Sequence, residues 1–107
     1  MSEVNLETIQ HGIRLIDGLS EDLNVFPEEF NELLDSTEEL LRDIYAIVEA
    51  FQVCGVDTEK SNSYIRSLAS QLSNSYNKLV MHFFDILKTH FTYEIYMHFH
   101  SMFFPNN

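Results

Sequence analysis

Apolar residues recur every three or four positions along most of this chain, and this spacing limits the possible folds more than any other feature. The clearest stretch lies between Pro27 and Gly55, where no other glycine or proline interrupts the pattern. Its positions are Phe30, Leu33, Leu34, Thr37, Leu40, Leu41, Ile44, Ile47, Val48 and Phe51. Residues at this spacing share one face of an α-helix, and proline and glycine are favoured at its two ends. We therefore predict one long helix over residues 27–53.

The same spacing appears on both sides of this helix. The first series is Leu6, Ile9, Ile13 and Ile16. The second is Ile65, Leu68, Leu72, Tyr76, Leu79, Phe83 and Ile86. They predict helices over about residues 4–19 and 58–88. With three glycines and two prolines in 107 residues, the chain has too few turn residues for a β-rich fold, and short connections favour antiparallel neighbours. The predicted fold class is all-α, a single-domain up-down bundle of three long helices.

The aromatic-rich segment 89–104 has two interpretations. Phe91, Ile95, Phe99 and Phe103 are four residues apart, as on a helix. Residues 91–95 also alternate with the period of a β-strand, but a lone strand would have to pair with another molecule. The third helix therefore either continues to about residue 104 or breaks into a third and a fourth helix, and a strand over 91–104 is the alternative.

Charge is divided unevenly along the chain, whose formal net charge is -11. Residues 1–57 carry 14 acidic side chains and two arginines, whereas residues 58–107 carry three acidic and four basic side chains. This negative charge opposes binding to the phosphates of nucleic acids and to anionic membranes, so we expect neither as a direct partner. The N-terminus lacks a secretory signal, and one cysteine cannot form an internal disulfide, so we predict a cytoplasmic or nuclear protein.

An acidic stripe runs along the predicted second helix, opposite its apolar face. It consists of Glu28, Glu32, Asp35, Glu39 and Asp43, which are three or four residues apart. Such a stripe is typical of a helix face exposed to water. Its carboxylates would lie about 5–6 Å apart, which resembles the spacing of phosphates along a nucleic-acid strand. The functional alternative is a docking surface for a basic partner.

No motif in the sequence predicts catalysis or cofactor binding. The chain contains no GxxxxGK[ST], GxGxxG or HExxH pattern. Cys54 is expected to pack as a small apolar residue. His90, Glu94 and His98 are four residues apart, but on one helix the two histidines would be about 12 Å apart, too far to share a metal ion. We predict no catalytic residue, no metal and no cofactor, and we do not expect an enzyme.

Two surfaces have a composition that suits contact with another protein. The serine face consists of Ser63, Ser67 and Ser70, and Asn74 and Asn77 continue it. Its small, uncharged side chains either allow close approach of a partner or form an ordinary exposed surface. The aromatic surface consists of Phe91, Tyr93, Ile95, Tyr96, Phe99, Phe103 and Phe104.

The aromatic surface extends around the whole circumference of the predicted helix. A helix that is apolar on all sides must be buried on most of them. Either this helix is central and the other two wrap around it, or another chain covers part of it. If another chain does so, a homodimer or a hetero-complex results.

These observations support three hypotheses of different classes. The leading one is a non-enzymatic helical interaction module that self-associates or serves as a subunit of a larger assembly. The second is a small acidic inhibitor that mimics nucleic acid and docks on the basic site of a nuclease or another nucleic-acid-binding protein. The third, ranked last, is a metal-dependent enzyme.

Overall fold

The computed structural model of the chain describes residues 5–55 and 58–104, and residues 58–61 by their backbone alone. Within these ranges it contains no strand. Its helices are α1 (Leu6–Leu23), α2 (Glu28–Cys54), α3 (Thr58–His90) and α4 (Tyr93–Phe103). The predicted all-α bundle is therefore confirmed, with the third predicted helix broken into two. The helical interpretation of the aromatic segment is confirmed, and the strand alternative is wrong.

The first helix is longer than predicted at its C-terminal end. It continues past residue 19 because Leu19 and Leu23 pack against the core and stabilise its last turn. It ends at Asn24, whose backbone lies in the left-handed region at φ 51° and whose N–H donates to the Ser20 carbonyl. Asparagine adopts this conformation more readily than most residues, so Asn24 acts as the C-cap.

The other helix ends follow ordinary capping chemistry. The Asn5 side chain caps α1 by accepting a hydrogen bond from the Thr8 N–H at 3.1 Å, whereas the predicted first residue, Val4, lies outside the described residues. Pro27, the predicted first helical residue, is the N-cap of α2, so the helix begins one residue later than predicted, at Glu28. Gly55 ends α2 as predicted, with a left-handed φ of 65° that glycine adopts without steric cost.

The third helix breaks at residues 91–92. The Thr92 backbone is extended, and its hydroxyl accepts a hydrogen bond from the Ile95 N–H, which caps α4. Lys88 lies in the last turn of α3, where positive charge complements the helix dipole, and Glu94 lies in the first turn of α4, where negative charge does. The chain reverses direction there, so α4 folds back onto the end of α3.

The core lies between three helices. The pair α2 and α3 forms its main contact, α1 packs against both, and α4 packs against α3. The buried apolar side chains are Ile9, Ile13, Ile16, Phe30, Leu34, Leu41, Ile44, Leu72, Leu79, Phe83, Phe84 and Leu87. All but Phe84 and Leu87 belong to the apolar series of the predicted helices. Those two residues were not predicted as core, because they are buried at the end of α3 that α4 approaches.

A polar pair lies within this core. Thr37 of α2 is fully buried, and its hydroxyl donates to the Leu33 carbonyl at 2.7 Å. Its oxygen also lies 2.6 Å from the Ser75 hydroxyl of α3, and Ser75 is the donor if Thr37 bonds to Leu33. Because both hydroxyls have partners, the cost of burying them is compensated. The pair links the two main helices at a fixed register.

Gly12 allows α1 to approach α3 closely. A Cβ atom on Gly12 would overlap the Tyr76 hydroxyl and lie 2.7 Å from the ring carbon that carries it. Burial raises the pKa of this tyrosine above 10.0. Gly18, on the exposed side of the same helix, has no atom within 4 Å of such a Cβ. Of these two glycines, only Gly12 is therefore required for the packing of α1 against α3.

We expect Gly12→Ala and Gly18→Ala to change stability in opposite directions. At Gly12 the overlap with Tyr76 costs about 1–3 kcal/mol, which outweighs the gain of about 1 kcal/mol in helix propensity. At Gly18 only the gain applies. Urea denaturation of both variants measures the difference. Equal free energies of unfolding would mean that α1 and α3 are not in close contact at this point.

The bundle is long and thin, with principal extents of 51 × 30 × 17 Å. Beyond the buried residues Ile44 and Leu72, α2 and α3 continue as a two-helix extension. We call this extension the distal arm and define it as residues 45–54 of α2 and 58–71 of α3. None of its described side chains is buried. The molecule therefore has a three-helix body, an uncovered arm at one end of α3, and α4 at the other end.

Candidate protein-interaction surfaces

Phe84 of α3 contacts several aromatic side chains of α4. Its ring lies 5.7 Å from that of Tyr96 and 5.3 Å from that of Phe103, both edge-to-face. The His100 ring is 5.4 Å away. Such aromatic contacts are worth about 0.5–1.5 kcal/mol each beyond the area they bury. An isolated helix as short as α4 is only marginally stable in water, so contacts of this kind hold it in place.

A second aromatic row joins α4 to the start of α2. Phe83 is fully buried, and its ring lies 5.5 Å from that of Phe103 and stacks 5.4 Å from that of Phe26. Phe26, in the connection between α1 and α2, stacks in turn on Phe30 at 4.7 Å. The inner side of α4 is thus continuous with the main core.

The outer side of α4 remains open, because none of its residues is buried. Its inner, half-buried positions are Tyr96, Phe99, His100 and Phe103. Its exposed apolar positions are Tyr93, Ile95, Met97 and Met102, and Phe104 follows at its end. Tyr93 is 74% exposed. The aromatic surface is therefore divided into a face that contacts α3 and exposed flanks.

The alternative of a central helix wrapped by two others is wrong for this segment. α4 is short, and it packs on the end of α3 at the edge of the bundle. The sequence could not show this because a helix that is apolar all round has the same pattern at the centre and at the edge.

A shallow groove of about 230 Å³ runs beside the exposed flank of α4. It is lined by Lys88, Phe91, Tyr93 and Tyr96. The Lys88 ammonium lies 5.2 Å from the centre of the Tyr96 ring, a cation–π distance. The groove therefore combines apolar walls with one positive charge.

The acidic stripe is exposed along its whole length. Glu28, Glu32, Asp35, Glu39 and Asp43 all face water, as predicted from the helical spacing. The stripe is extended by a carboxylate of α1, since Asp17 lies near Glu38. Burial is the main cause that raises the pKa of Glu38 above 4.5. The negative charges of Asp17 and Asp35 add to this increase, and the positive charge of Arg42 opposes it. Negative potential is thus concentrated between α1 and α2.

The serine face is also exposed. Ser63, Ser67 and Ser70, with Asn74 and Asn77, point away from the core. The first three belong to the distal arm. In the folded chain the serine face, the acidic stripe and the aromatic surface lie in three separate regions.

The histidines and the cysteine do not form a site together. His90 ends α3, whereas Glu94 and His98 lie on α4, so the helix assumed for their spacing is interrupted. Among residues 5–55 and 58–104, no group of three or more potential ligands is placed to hold a metal ion. Cys54 is exposed, and the prediction that it packs was wrong, because no third helix reaches the end of α2.

Lys88 was missed as part of the C-terminal surface. It precedes the segment to which the aromatic surface was assigned. The capping signals around Thr92, with basic residues before it and an acidic one after it, could have indicated a reversal of the chain. A reversal places the end of α3 against α4.

Comparison with family models, with curated proteins and with solved structures finds no match to this chain. Within the described part of the chain, no helix combines the length and the apolar character that crossing a bilayer requires. The functional proposal therefore depends on the surfaces of the molecule itself.

Proposed function

We propose that this protein is a non-enzymatic helical interaction module whose aromatic surface binds another protein chain, as a self-associating protein or as a subunit of a larger assembly. One observation carries the proposal: α4 is rich in aromatic and aliphatic residues, yet none of its side chains is buried. A large exposed apolar patch is unusual on a free monomer. Covering it contributes roughly 25 cal/mol per Å² of apolar area.

The composition of this surface supports a protein partner. Tyrosine, phenylalanine and methionine are enriched in protein interfaces, and all three are present on α4. The groove beside Tyr93 can receive an apolar side chain, and Lys88 can pair with an acidic group at its edge.

A matched set of baits tests the proposal. Tyr93→Glu places a charge on the exposed flank of α4, whereas Met81→Glu places one on α3 outside the aromatic surface, at a side chain that is 67% exposed. We expect a partner captured by wild type and by Met81→Glu to be lost with Tyr93→Glu, and binding of the purified partner to weaken at least about tenfold. The measurement is affinity capture with mass spectrometry, followed by titration calorimetry.

Folding must be unchanged for this test to count, and circular dichroism melting of the two variants provides that control. Because both side chains are exposed, the free energy of unfolding of each variant is expected to lie within about 0.5 kcal/mol of the wild-type value. Equal binding by Tyr93→Glu and Met81→Glu would contradict a role for α4.

A second candidate function follows from the acidic stripe. Five carboxylates are exposed along one side of α2, and Asp17 of α1 adds a further negative charge beside them. A basic nucleic-acid-binding protein could accept this row in place of phosphates, because electrostatic complementarity raises the association rate. In this case the protein is a small acidic inhibitor.

Neutralising the stripe distinguishes this candidate from plain solvation. The triple variant Glu32→Gln, Asp35→Asn and Glu39→Gln should keep its stability, because exposed charges contribute little to folding. If the stripe mimics nucleic acid, wild type displaces a labelled DNA duplex from sequence-independent DNA-binding proteins or nucleases at low salt, and the variant does so much less. No displacement by wild type across such a panel would contradict mimicry and leave the first proposal unaffected.

A further inference from the structure

The distal arm consists of two helices without a third. Val48 and Phe51 of α2, and Ile65 and Leu68 of α3, continue the apolar series of their helices, yet all four are only half-buried. The Phe51 ring lies 6.3 Å from that of Tyr64, which is 51% exposed.

The apolar seam between the two helices of the arm stays partly open to water, since none of the described side chains of the arm is buried. In helical bundles a third or fourth helix covers such a seam. In the body of this protein α1 does so, and Ile44 and Leu72 are fully buried there. No described element covers the continuation of the same seam into the arm.

The exposed area is large for a chain of this mass. The chain exposes 7504 Å², whereas a compact monomer of 12.5 kDa exposes about 6,200 Å². The excess of about 1,300 Å² exceeds the ~800 Å² that each partner buries in a standard protein interface. The radius of gyration, 15.9 Å, likewise exceeds the ~13 Å expected for a compact domain of this length. The uncovered arm and the open outer side of α4 both contribute to this excess.

The distribution of charge along the chain indicates which partner covers the arm. The whole chain carries -11, so two copies repel each other over most of their surface. In the arm, the described side chains include one acidic residue, Glu49 on α2, and one basic residue, Arg66 on α3, and both are exposed. Glu59 and Lys60 add one charge of each sign by sequence, so the arm has no net formal charge and like-charge repulsion between two copies is weakest there.

We propose that the distal arm binds the distal arm of a second copy, so that the two hairpins form a four-helix bundle with two-fold symmetry. In a two-fold contact the same patch is used twice, so α2 of one copy can lie beside α3 of the other. Glu49 of each copy then faces Arg66 of its partner, and the two seams cover each other. The acidic stripe stays outside this contact.

This dimer is independent of what the aromatic surface binds. The arm and α4 lie at opposite ends of α3, so the dimer presents two aromatic surfaces at its two far ends. Such a molecule is bivalent, and it binds a repeated partner more tightly than one surface does alone.

Light scattering coupled to size exclusion tests the proposal on the full chain. We expect wild type and Met81→Glu to have the mass of a dimer. Tyr64→Glu should raise the dissociation constant of the dimer at least about tenfold, with an unchanged helical spectrum. Val53→Glu, at another exposed position of the arm, provides a second variant if Tyr64→Glu alters folding.

A distance measurement shows which end of the molecule forms the dimer. Cys54 is the single cysteine, is exposed, and lies in the arm, so one nitroxide label per chain can be attached there. In an arm-to-arm dimer the two labels are close, and pulsed electron paramagnetic resonance gives a short distance. In a dimer formed through α4 they are separated by most of the length of two molecules.

The outcomes are distinct. A monomeric wild type at all concentrations overturns the arm dimer, and so does a dimer that Tyr93→Glu dissociates but Tyr64→Glu does not. In both cases binding of a partner by α4 can still be measured, so failure of the arm dimer is distinguishable from failure of the proposed function.

Discussion

Ile44→Asp is expected to destabilise the protein by about 4–5 kcal/mol. Ile44 is 0% exposed and lies where α2 contacts α3, so the new carboxylate would be buried without a partner. This loss is a large part of the 5–15 kcal/mol that stabilises an ordinary domain. We therefore expect a variant that is largely unfolded at 37 °C or melts far below wild type, as measured by circular dichroism.

Ala46→Asp is the matched control for this substitution. Ala46 lies two residues further along the same helix and is exposed. Its replacement should cost less than about 1 kcal/mol, mainly through the lower helix propensity of aspartate. The same prediction holds in weaker form for Leu41→Asp, since Leu41 is nearly as buried. Similar melting of Ile44→Asp and Ala46→Asp would show that the buried face of α2 is wrongly placed.

Phe84→Ala is expected to cost about 3–5 kcal/mol and to release α4 from the bundle. The ring of Phe84 contacts those of Tyr96, His100 and Phe103, so its loss leaves a cavity under most of α4. The free energy of unfolding in urea measures the cost. Chymotrypsin measures the release, because the aromatic residues of a detached α4 become accessible to cleavage.

Met81→Ala is the control, because this side chain lies on the same helix but is 67% exposed. It should change the free energy of unfolding by less than about 0.5 kcal/mol and leave the cleavage pattern unaltered. If Phe84→Ala retains both wild-type stability and wild-type resistance to chymotrypsin, another contact holds α4. If α4 is released while the other helices persist, α4 is a separate folding unit.

The sequence determined the type of the elements and most of the buried face. A helix places residues three and four apart on one side, so Ile13, Leu34, Ile44 and Leu79 could be assigned to a core from their spacing alone. The ends of α2 were also predictable, because proline and glycine act on the local backbone. The acidic stripe followed from the same periodicity, since a polar face opposite an apolar one is exposed. All of these properties depend on neighbours along the chain.

Only the tertiary structure decided where the helices stop covering one another. The pattern of Val48 and Phe51 is the same as that of Ile44, yet the first two are half-buried because α1 does not extend over the arm. Likewise, Phe84 is buried and Tyr93 is exposed because the chain reverses at Thr92 and brings α4 onto one side of α3. Burial at such positions depends on the relative lengths and directions of elements distant in sequence. A local pattern shows which side of a helix is apolar, but it cannot show whether another helix lies there to bury it.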